Sequence, residues 1–417
     1  MNQIVDPIQA QQQQRALRVA ILGIRGFPNV QGGVEKHAES LACALAALGC
    51  DVEAIVRSGF VAKRQSATWR GIKISRLWAP RVSGVEAFVH TFLGVLSAAF
   101  SRPDILHIHA IGPALFIPLA RALGLRVVVT CHSRNYEHKK WGGFARSLLR
   151  LGERAGMKFA NGRIAVSDGL AKDLSHTYRV PVRTIPNGID PPRRLASTDT
   201  LRSFDLVPNR YVLMVARIDD DKRQLDLIAA YARLRLPDWK LALVGGADYS
   251  GDYANEVAAA GRQSPGVVLL GHQSGAALAE LYTHAGCFVL PSRFEGQPIA
   301  VLEAASYGLP LVLSDIAAHR ELGIPRTRYF AVGDIAALAA HLEGILAARS
   351  NEKLAADQCA GLLAKHDWHA IAHQTLAVYC DALSGTRRVR AAAAPLAAKT
   401  RESSWSSLAE RDSAVVK

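Results

Sequence analysis

The stretch IPNGIDPPRR, residues 185–194, interrupts an otherwise regular chain. Its Pro, Asn and Gly residues break both helix and strand patterns, so it reads as a boundary between domains. Upstream of it, apolar runs alternate with helical patterns. LRVAIL (17–22) reads as a buried strand and leads into a Gly-rich loop, and VEKHAESLACALAAL (34–48) has apolar residues at helical spacing. Further strands are expected at 52–56, 72–77, 104–109, 126–131, 163–166 and 182–185, with helices at 85–100, 112–123, 143–160 and 168–177. Downstream the alternation restarts. Strands are expected at 211–216, 240–244, 267–270, 287–290 and 311–313, with helices at 223–235, 252–261, 275–284, 298–307 and 334–348. This order predicts an α/β protein with two Rossmann-like, doubly wound domains facing a central cleft. The expected division is a disordered leader over 1–15, an N-terminal domain over 16–187 and a second domain over 188–366. A helix over 367–384, with an apolar stripe of Trp368, Ile371, Leu376 and Tyr379, is expected to cross back to the first domain. A disordered basic tail is expected over 385–417.

A chain of 417 residues, 49% apolar and 21% charged, has globular composition and room for two to three domains. Its net charge of +14 is unevenly placed. Residues 1–190 carry 25 basic and 12 acidic groups, whereas 191–385 carry 18 and 21. A basic half points to nucleic acid, a membrane surface or an anionic substrate. The six cysteines form no C-x-x-C pair, which argues against a zinc site or a disulfide framework and for a reduced, cytoplasmic protein. The N-terminus, MNQIVDPIQAQQQQ, lacks the apolar run of a secretory signal. The longest apolar stretch, Ile105 to Cys131, is interrupted by His107, His109, Arg121 and Arg126 and does not read as a membrane span.

Parallel sheets bind ligands at the carboxyl ends of their strands, so chemistry is sought there. The first strand runs into GIRGFPNVQGGVEKH, where Gly32 and Gly33 open a helix. Glycine lets backbone N–H groups approach a phosphate, and a helix N-terminus favours anions, although a plain flexible loop would look the same. DILHIHA places His107 and His109 on one strand face. His109 is nearer the end and is the ligand candidate, while His107 reads as core. VVVTCH ends in His132, again at a strand end and followed by Asn135, so both are candidates among the polar residues converging on one edge. In the second half, Arg217 ends a strand and Lys222 lies five residues on. Two cations there would hold a diphosphate, unless the intervening aspartates make this a solvated charge run. PSRFEGQPIAVLEAASYG then carries Glu295 in a loop and Glu303 inside a helix, carboxylates able to accept hydrogen bonds from sugar diols.

This constellation resembles the retaining glycosyltransferases of family 4, which have the GT-B fold. The matching pieces are GGVEKHAESLACALAALGCDV (32–52), HIHA (107–110), IPNGID (185–190), RIDDDK (217–222) and EGQPIAVLE (295–303), the last matching the family's Glu-x7-Glu signature. The resemblance spans about residues 17–384. The segment 130–169 looks most like bacterial capsule and O-antigen transferases, including rhamnosyltransferases. The resemblance implies that Arg217 and Lys222 bind the donor diphosphate, Glu303 the nucleotide ribose, and Glu295 with Gly296 the donor sugar. It further implies that His109 faces the sugar, Gly32 and Gly33 lie over the phosphates, and Gly271 stands beside the base. Arg217, Lys222, Glu295 and His109 are the implied catalytic set. Transfer would retain configuration and need no metal or other cofactor. The partners implied are a nucleotide-sugar donor and a glycan or lipid-linked acceptor, in bacterial surface polysaccharide synthesis.

The chain departs from the family twice. Arg223 stands where the family has Gly, and Gln297-Pro298 replaces Phe-Gly in the donor loop. Pro298 removes a backbone donor, which bears on sugar contacts. From Phe144 to Phe159, Phe144, Leu148, Leu151, Ala155 and Phe159 form an apolar stripe beside Arg146, Arg150, Arg154 and Lys158. Such a helix either docks on its own sheet with a solvated basic flank or contacts an anionic membrane peripherally. The 85–100 helix reads as core. A nucleotide-sugar epimerase or a non-catalytic nucleotide-sugar-binding protein of the same fold are the alternatives. No nucleic-acid module accompanies the basic half.

Overall fold

The computed structural model describes residues 15–384 apart from 29, 62–65, 81, 83, 135, 137–141, 235–237, 248–250 and 348–355. The leader to residue 14, the tail from 385 and the acceptor-side candidate Asn135 lie outside the described residues.

The first half is built on strands β1 (Arg18–Leu22), β2 (Asp51–Arg57), β3 (Thr68–Trp69), β4 (Ile72–Leu77), β5 (Ile105–His109), β6 (Val127–Cys131), β7 (Gly162–Ala165) and β8 (Arg183–Thr184). Helices α1 (Gly33–Ala47), α2 (Val85–Ser101), α3 (Ile117–Ala122), α4 (Gly143–Phe159) and α5 (Asp168–Tyr178) connect them. The second half holds α6 (Asp199–Ser203), β9 (Tyr211–Val215), α7 (Gln224–Arg233), β10 (Lys240–Val244), α8 (Asp252–Gln263), β11 (Val267–Gly271) and α9 (Gly275–His284). It continues through β12 (Cys287–Leu290), α10 (Ile299–Ser306), β13 (Leu311–Ser314), α11 (Ala317–Arg320), β14 (Tyr329–Phe330), α12 (Ile335–Ala347) and α13 (Ala356–Lys365). The last described helix is α14 (Trp368–Ser384).

Two sheets result, ordered β3-β4-β2-β1-β5-β6-β7-β8 and β11-β10-β9-β12-β13-β14. All pairings are parallel except β3 with β4. β3 is only two residues long, so it left no period to read. Strands such as VVVTC in β6 are buried at every position because helices cover both faces of the sheet. On the first sheet, α1 and α14 cover one face and α2 to α5 the other. In each sheet the chain reverses its direction of travel once, between β1 and β5 and between β9 and β12. The crevices at those two reversals are where such sheets take ligands.

Three of the expected helices differ from expectation, and α6, α11 and α13 were not expected. The expected helix at 112–123 is a 3₁₀ turn, Pro113–Phe116, followed by α3, because Pro113 and Pro118 each start a helical turn afresh. Of the apolar stripe expected on α4 only Ala155 is buried. Phe144, Leu151 and Phe159 are 85%, 53% and 51% exposed, while Gly152, Glu153, Ala155, Gly156 and Met157 are buried. Gly152 and Gly156 take the closest positions on that face because α4 comes very close to the turn below it: a Cβ at Gly152 would overlap the Ile111 carbonyl. α2 is core on one face only, since Val85, Phe88, Phe92 and Phe100 are exposed.

The junction read at 185–194 is closed by packing. A Cβ at Gly188 would overlap the Trp368 indole at the start of α14. Gly188→Ala is expected to destabilise the protein by about 1–3 kcal/mol through overpacking. Thermal unfolding would show it as an apparent Tm lowered by several degrees.

Candidate active site

The loops at the two crevices carry most of the polar residues singled out above. In the second sheet, Arg217 and Lys222 follow β9, and Glu295 and Gly296 follow β12. The chain folds this way locally because Asp219 accepts from the Asp221 N–H at 3.2 Å and nucleates a 3₁₀ turn, Asp220–Lys222. Arg223 then takes φ +55°, a left-handed conformation that glycine adopts without strain. Its side chain pairs with Asp226 at 2.5 Å. The aspartates beside Lys222 are engaged elsewhere: Arg293 bridges Asp220 at 2.8 Å and Asp221 at 2.6 Å. Lys222 therefore pairs with Glu295, Nζ to Oε1, at 2.5 Å. Ser292 Oγ donates to the same oxygen at 2.7 Å. Burial works to raise the Glu295 pKa, but Lys222 and Ser292 outweigh it and hold the carboxyl below its ordinary range.

Glu303 lies on α10, whose first turn begins after Pro298. Pro298 thus sits where a helix leaves its N–H groups unpaired in any case, and the lost donor costs little. Tyr282 donates to Glu303 at 3.0 Å. Burial pushes the Glu303 carboxyl upward, opposed by the nearby Lys36 ammonium and by Tyr282. Lys36 comes from α1 and bonds Asp190 at 2.6 Å. Burial opposes its charge, but Asp190 and Glu303 outweigh burial and hold it above the usual lysine range.

The first sheet contributes a cluster of histidines. His109 is fully buried, and its Nδ1 lies 3.1 Å from Nε2 of His132. His107 is satisfied by Tyr379 and Thr130, each at 2.7 Å, as a core residue should be. His37 Nδ1 donates to Asn187 Oδ1 at 2.9 Å. Burial lowers all four pKa values, to about 4 for His37 and about 3 for His107, so the rings are neutral at pH 7. His109 Nε2 is buried without a hydrogen-bond partner among the described residues. One nitrogen from each of His37, His109 and His132 lies within 4.8 Å of the others, the arrangement among the described residues that could hold a metal.

Gly32 and Gly33 open α1, with Gly32 at φ +143°. Gln31, just before them, meets Gly246 of the other half through bonds of 3.3 and 3.4 Å. Gly271 has φ +64°, and its carbonyl accepts from Gly245 at 2.7 Å. Gly296 is pressed against the His132 carbonyl, where a Cβ would not fit. The second departure, Gln297, has a role: Asn187 donates its N–H to Gln297 Oε1 at 2.5 Å and its Nδ2 to the Gln297 carbonyl at 3.0 Å. Sequence reasoning assigned no role to Lys36, His37, Asn187 or Gln31. All four sit inside segments quoted above, but only their partners across the crevice reveal them.

Two family descriptions match the chain, "Glycosyltransferase Family 4" over residues 31–193 and "Glycosyl transferases group 1" over 209–348. The chain is a glycosyltransferase of the family 4 type. Its two parallel-sheet domains have the GT-B architecture. It is similar to the glycogen synthase of Mycobacterium tuberculosis, 26% identical over 89% of this chain and 96% of that one. It is also similar to the GDP-mannose:cellobiosyl-diphosphopolyprenol alpha-mannosyltransferase of Xanthomonas oryzae, 27% identical over 70% and 78%. Among solved structures, Anabaena HepE in complex with UDP-glucose superposes with a TM-score of 0.71 at 18% identity, covering 88% of this chain and 99% of that one.

The Lys222–Glu295 pair in this glycosyltransferase makes a pH-linked prediction. Because the Glu295 pKa is depressed, its contribution to stability is present above the unfolded carboxyl pKa and is lost as pH falls through the folded one. Lys222→Met strands a buried carboxylate and is expected to cost about 3–5 kcal/mol at pH 7. Adding Glu295→Gln should recover part of that loss. Urea unfolding of the wild type, the single and the double variant at pH 7 and pH 4 checks both the coupling and its sign.

Proposed function

We propose that this enzyme transfers a sugar, with retention of configuration, from a nucleotide-diphosphate sugar to a glycan or lipid-linked acceptor in bacterial surface polysaccharide synthesis. The observation that carries the reading is the convergence of Arg217, Lys222 and Glu295 at the β9/β12 crevice, with Lys222 already bonded to Glu295. On this reading residues 16–187 hold the acceptor and residues 188–366 the donor. Arg217 and Lys222 take the diphosphate, Glu303 the ribose, and Glu295 and Gly296 the sugar. Gly32 and Gly33 offer α1 backbone N–H groups to the phosphates, and Gly271 borders the base. His109, neutral and with Nε2 unpartnered, offers a hydrogen bond to a sugar hydroxyl. His132 and Asn135 belong to the acceptor side.

In the transfer, the bond from the anomeric carbon to the β-phosphate oxygen breaks. The acceptor oxygen bonds to that carbon from the same face, and its proton passes to the departing phosphate. No separate base is needed. Arg217 and Lys222 neutralise the growing charge, so the reaction is proposed to be metal-independent. The UDP-glucose complex of HepE supports a nucleotide-sugar donor, and the diphosphopolyprenol in the Xanthomonas relative's name supports a lipid-linked acceptor. Arg217→Ala and Lys222→Ala are each expected to lower turnover by about 10²–10³-fold. The assay is nucleotide release from a panel of nucleotide sugars, with and without acceptor. Near-normal turnover in both variants, or no release by the wild type from any donor, rejects the reading.

The proposed place of action is the cytoplasmic face of the membrane. No helix of the described residues is long and apolar enough to cross it. Instead α2 and α4 share one layer and expose Phe88, Phe92, Phe144 and Phe159 beside Arg150, Arg154 and Lys158, with Arg146 half-buried. Each cation near an anionic bilayer adds about 1 kcal/mol. Flotation with phosphatidylglycerol vesicles should carry the protein upward, and neutral phosphatidylcholine vesicles should not. No difference between the two removes the membrane contact.

A further inference from the structure

A second cleft lies between α4 and α5, outside the donor crevice. It measures about 720 Å³ and is lined by Arg134, Tyr136, Arg150, Arg154, Lys158 and Tyr178 among others. That volume falls in the range of small-molecule sites, about 300–1,000 Å³. Buried Glu153 organises one wall. Its Oε1 accepts from the Tyr178 hydroxyl at 2.8 Å and the Tyr136 hydroxyl at 3.2 Å, and Arg134 Nε stands 3.5 Å from Oε2. Arg134 also reaches Asp173 at 3.6 Å. The two carboxylates are thus engaged with Arg134 and the two phenols.

The remaining cations are not neutralised in this way. Among the described residues, no carboxylate lies within ion-pair distance of Arg150, Arg154 or Lys158. They repeat every four residues along α4, a spacing at which like charges repel. An anion between them removes that repulsion and accepts charge-assisted hydrogen bonds. Arg150 is also steadied over the Tyr136 ring at 5.3 Å. The cleft has an apolar margin as well. Leu151 lines it and Phe144 is exposed on the same helix, surfaces that a small free anion has no use for. The position fits an acceptor. Arg134 is two residues, at most about 7 Å of chain, beyond His132, whose carbonyl abuts the donor loop at Gly296.

We propose that this cleft binds the phosphate or diphosphate headgroup of a lipid-linked acceptor, with Arg150, Arg154 and Lys158 on the phosphate oxygens and Leu151 and Phe144 along the start of the hydrocarbon chain. The identity of the lipid as acceptor rests on the transferase reading; the anion site is tested separately. Titration calorimetry of the full chain should show one-to-one binding of geranyl diphosphate and none of geraniol. Arg150→Ala/Arg154→Ala should weaken geranyl diphosphate binding by about tenfold or more, the loss of one or two charge-assisted hydrogen bonds. An unchanged thermal unfolding profile would show that the variant is folded. Absence of binding by the wild type, or equal affinity in the double variant, overturns the proposal. So does wild-type adsorption to phosphatidylglycerol vesicles without geranyl diphosphate binding, which would make α4 a membrane surface only. If the wild type binds geranyl diphosphate but releases nucleotide from no donor, the transferase reading fails and the anion site stands.

Discussion

One buried residue, Asn187, holds the two halves in register. A buried Asn must satisfy its N–H, its C=O and both ends of its side-chain amide. Asn187 does so with partners from three distant parts of the chain: His37 on α1, Gln297 in the loop after β12, and His366, whose Nδ1 donates to the Asn187 carbonyl at 2.6 Å. Leaving any of these groups unpaired would cost about 1–3 kcal/mol. The site geometry follows from that constraint. Gln297 is two residues from Glu295, and His37 edges against His132 with ring centroids 4.8 Å apart. The loop after β12 and the histidine cluster are therefore positioned by one residue that bonds to both.

Charge is arranged by the same economy. The crevice holds cations already matched with carboxylates, Lys222 with Glu295 and Lys36 with Asp190 near Glu303. Buried pairs of this kind add little stability, because desolvation offsets most of the attraction. Their value on the proposed reading is positional. A donor diphosphate arriving at the crevice meets a lysine already oriented, so little reorganisation remains when charge develops on the leaving group. Arg293 contributes indirectly by engaging Asp220 and Asp221, which leaves Lys222 to Glu295.

Much of the fold was legible because parallel strands are buried on both faces and read as continuous apolar runs. VVVTC and YVLMV announce themselves without alternation. What could not be read was anything set by a partner far along the chain. Asn187 and Gln297 are separated by 110 residues, and Glu321 bonds the Asp168 and Gly169 N–H groups from 153 and 152 residues away. The α4 stripe failed for a related reason. Period alone ranks Phe above Gly, but the close approach at Gly152 leaves no room for a side chain there, and Phe144, Leu151 and Phe159 turn outward. Among the site candidates, Arg217, Lys222, Glu295 and Glu303 could be located from strand ends and a helix start. The roles of Arg223 and Gln297 could not, since one depends on a backbone angle and the other on Asn187.

The outward phenylalanines carry the last step. A Phe fully left in water forgoes about 1.5–3 kcal/mol of burial; Phe144 comes nearest to that at 85% exposed, and Phe88, Phe92 and Phe159 forgo part of it. Phe88 and Phe92 are already drawn to Phe116, at 4.7 and 5.9 Å, so the α2 part of this surface is packed within itself. That layer also carries α5, whose N-terminal N–H groups are held by Glu321 of the second half at 2.9 and 3.1 Å. A carboxylate at a helix N-terminus is favoured by both hydrogen bonding and the helix dipole. On the proposed reading, a surface that seats α2 and α4 on a bilayer would thus orient α5, and through Glu321 the second half. If the proposed membrane contact holds, attachment and the alignment of the two halves become one mechanical arrangement, because the same layer carries the exposed phenylalanines and the helix that Glu321 holds.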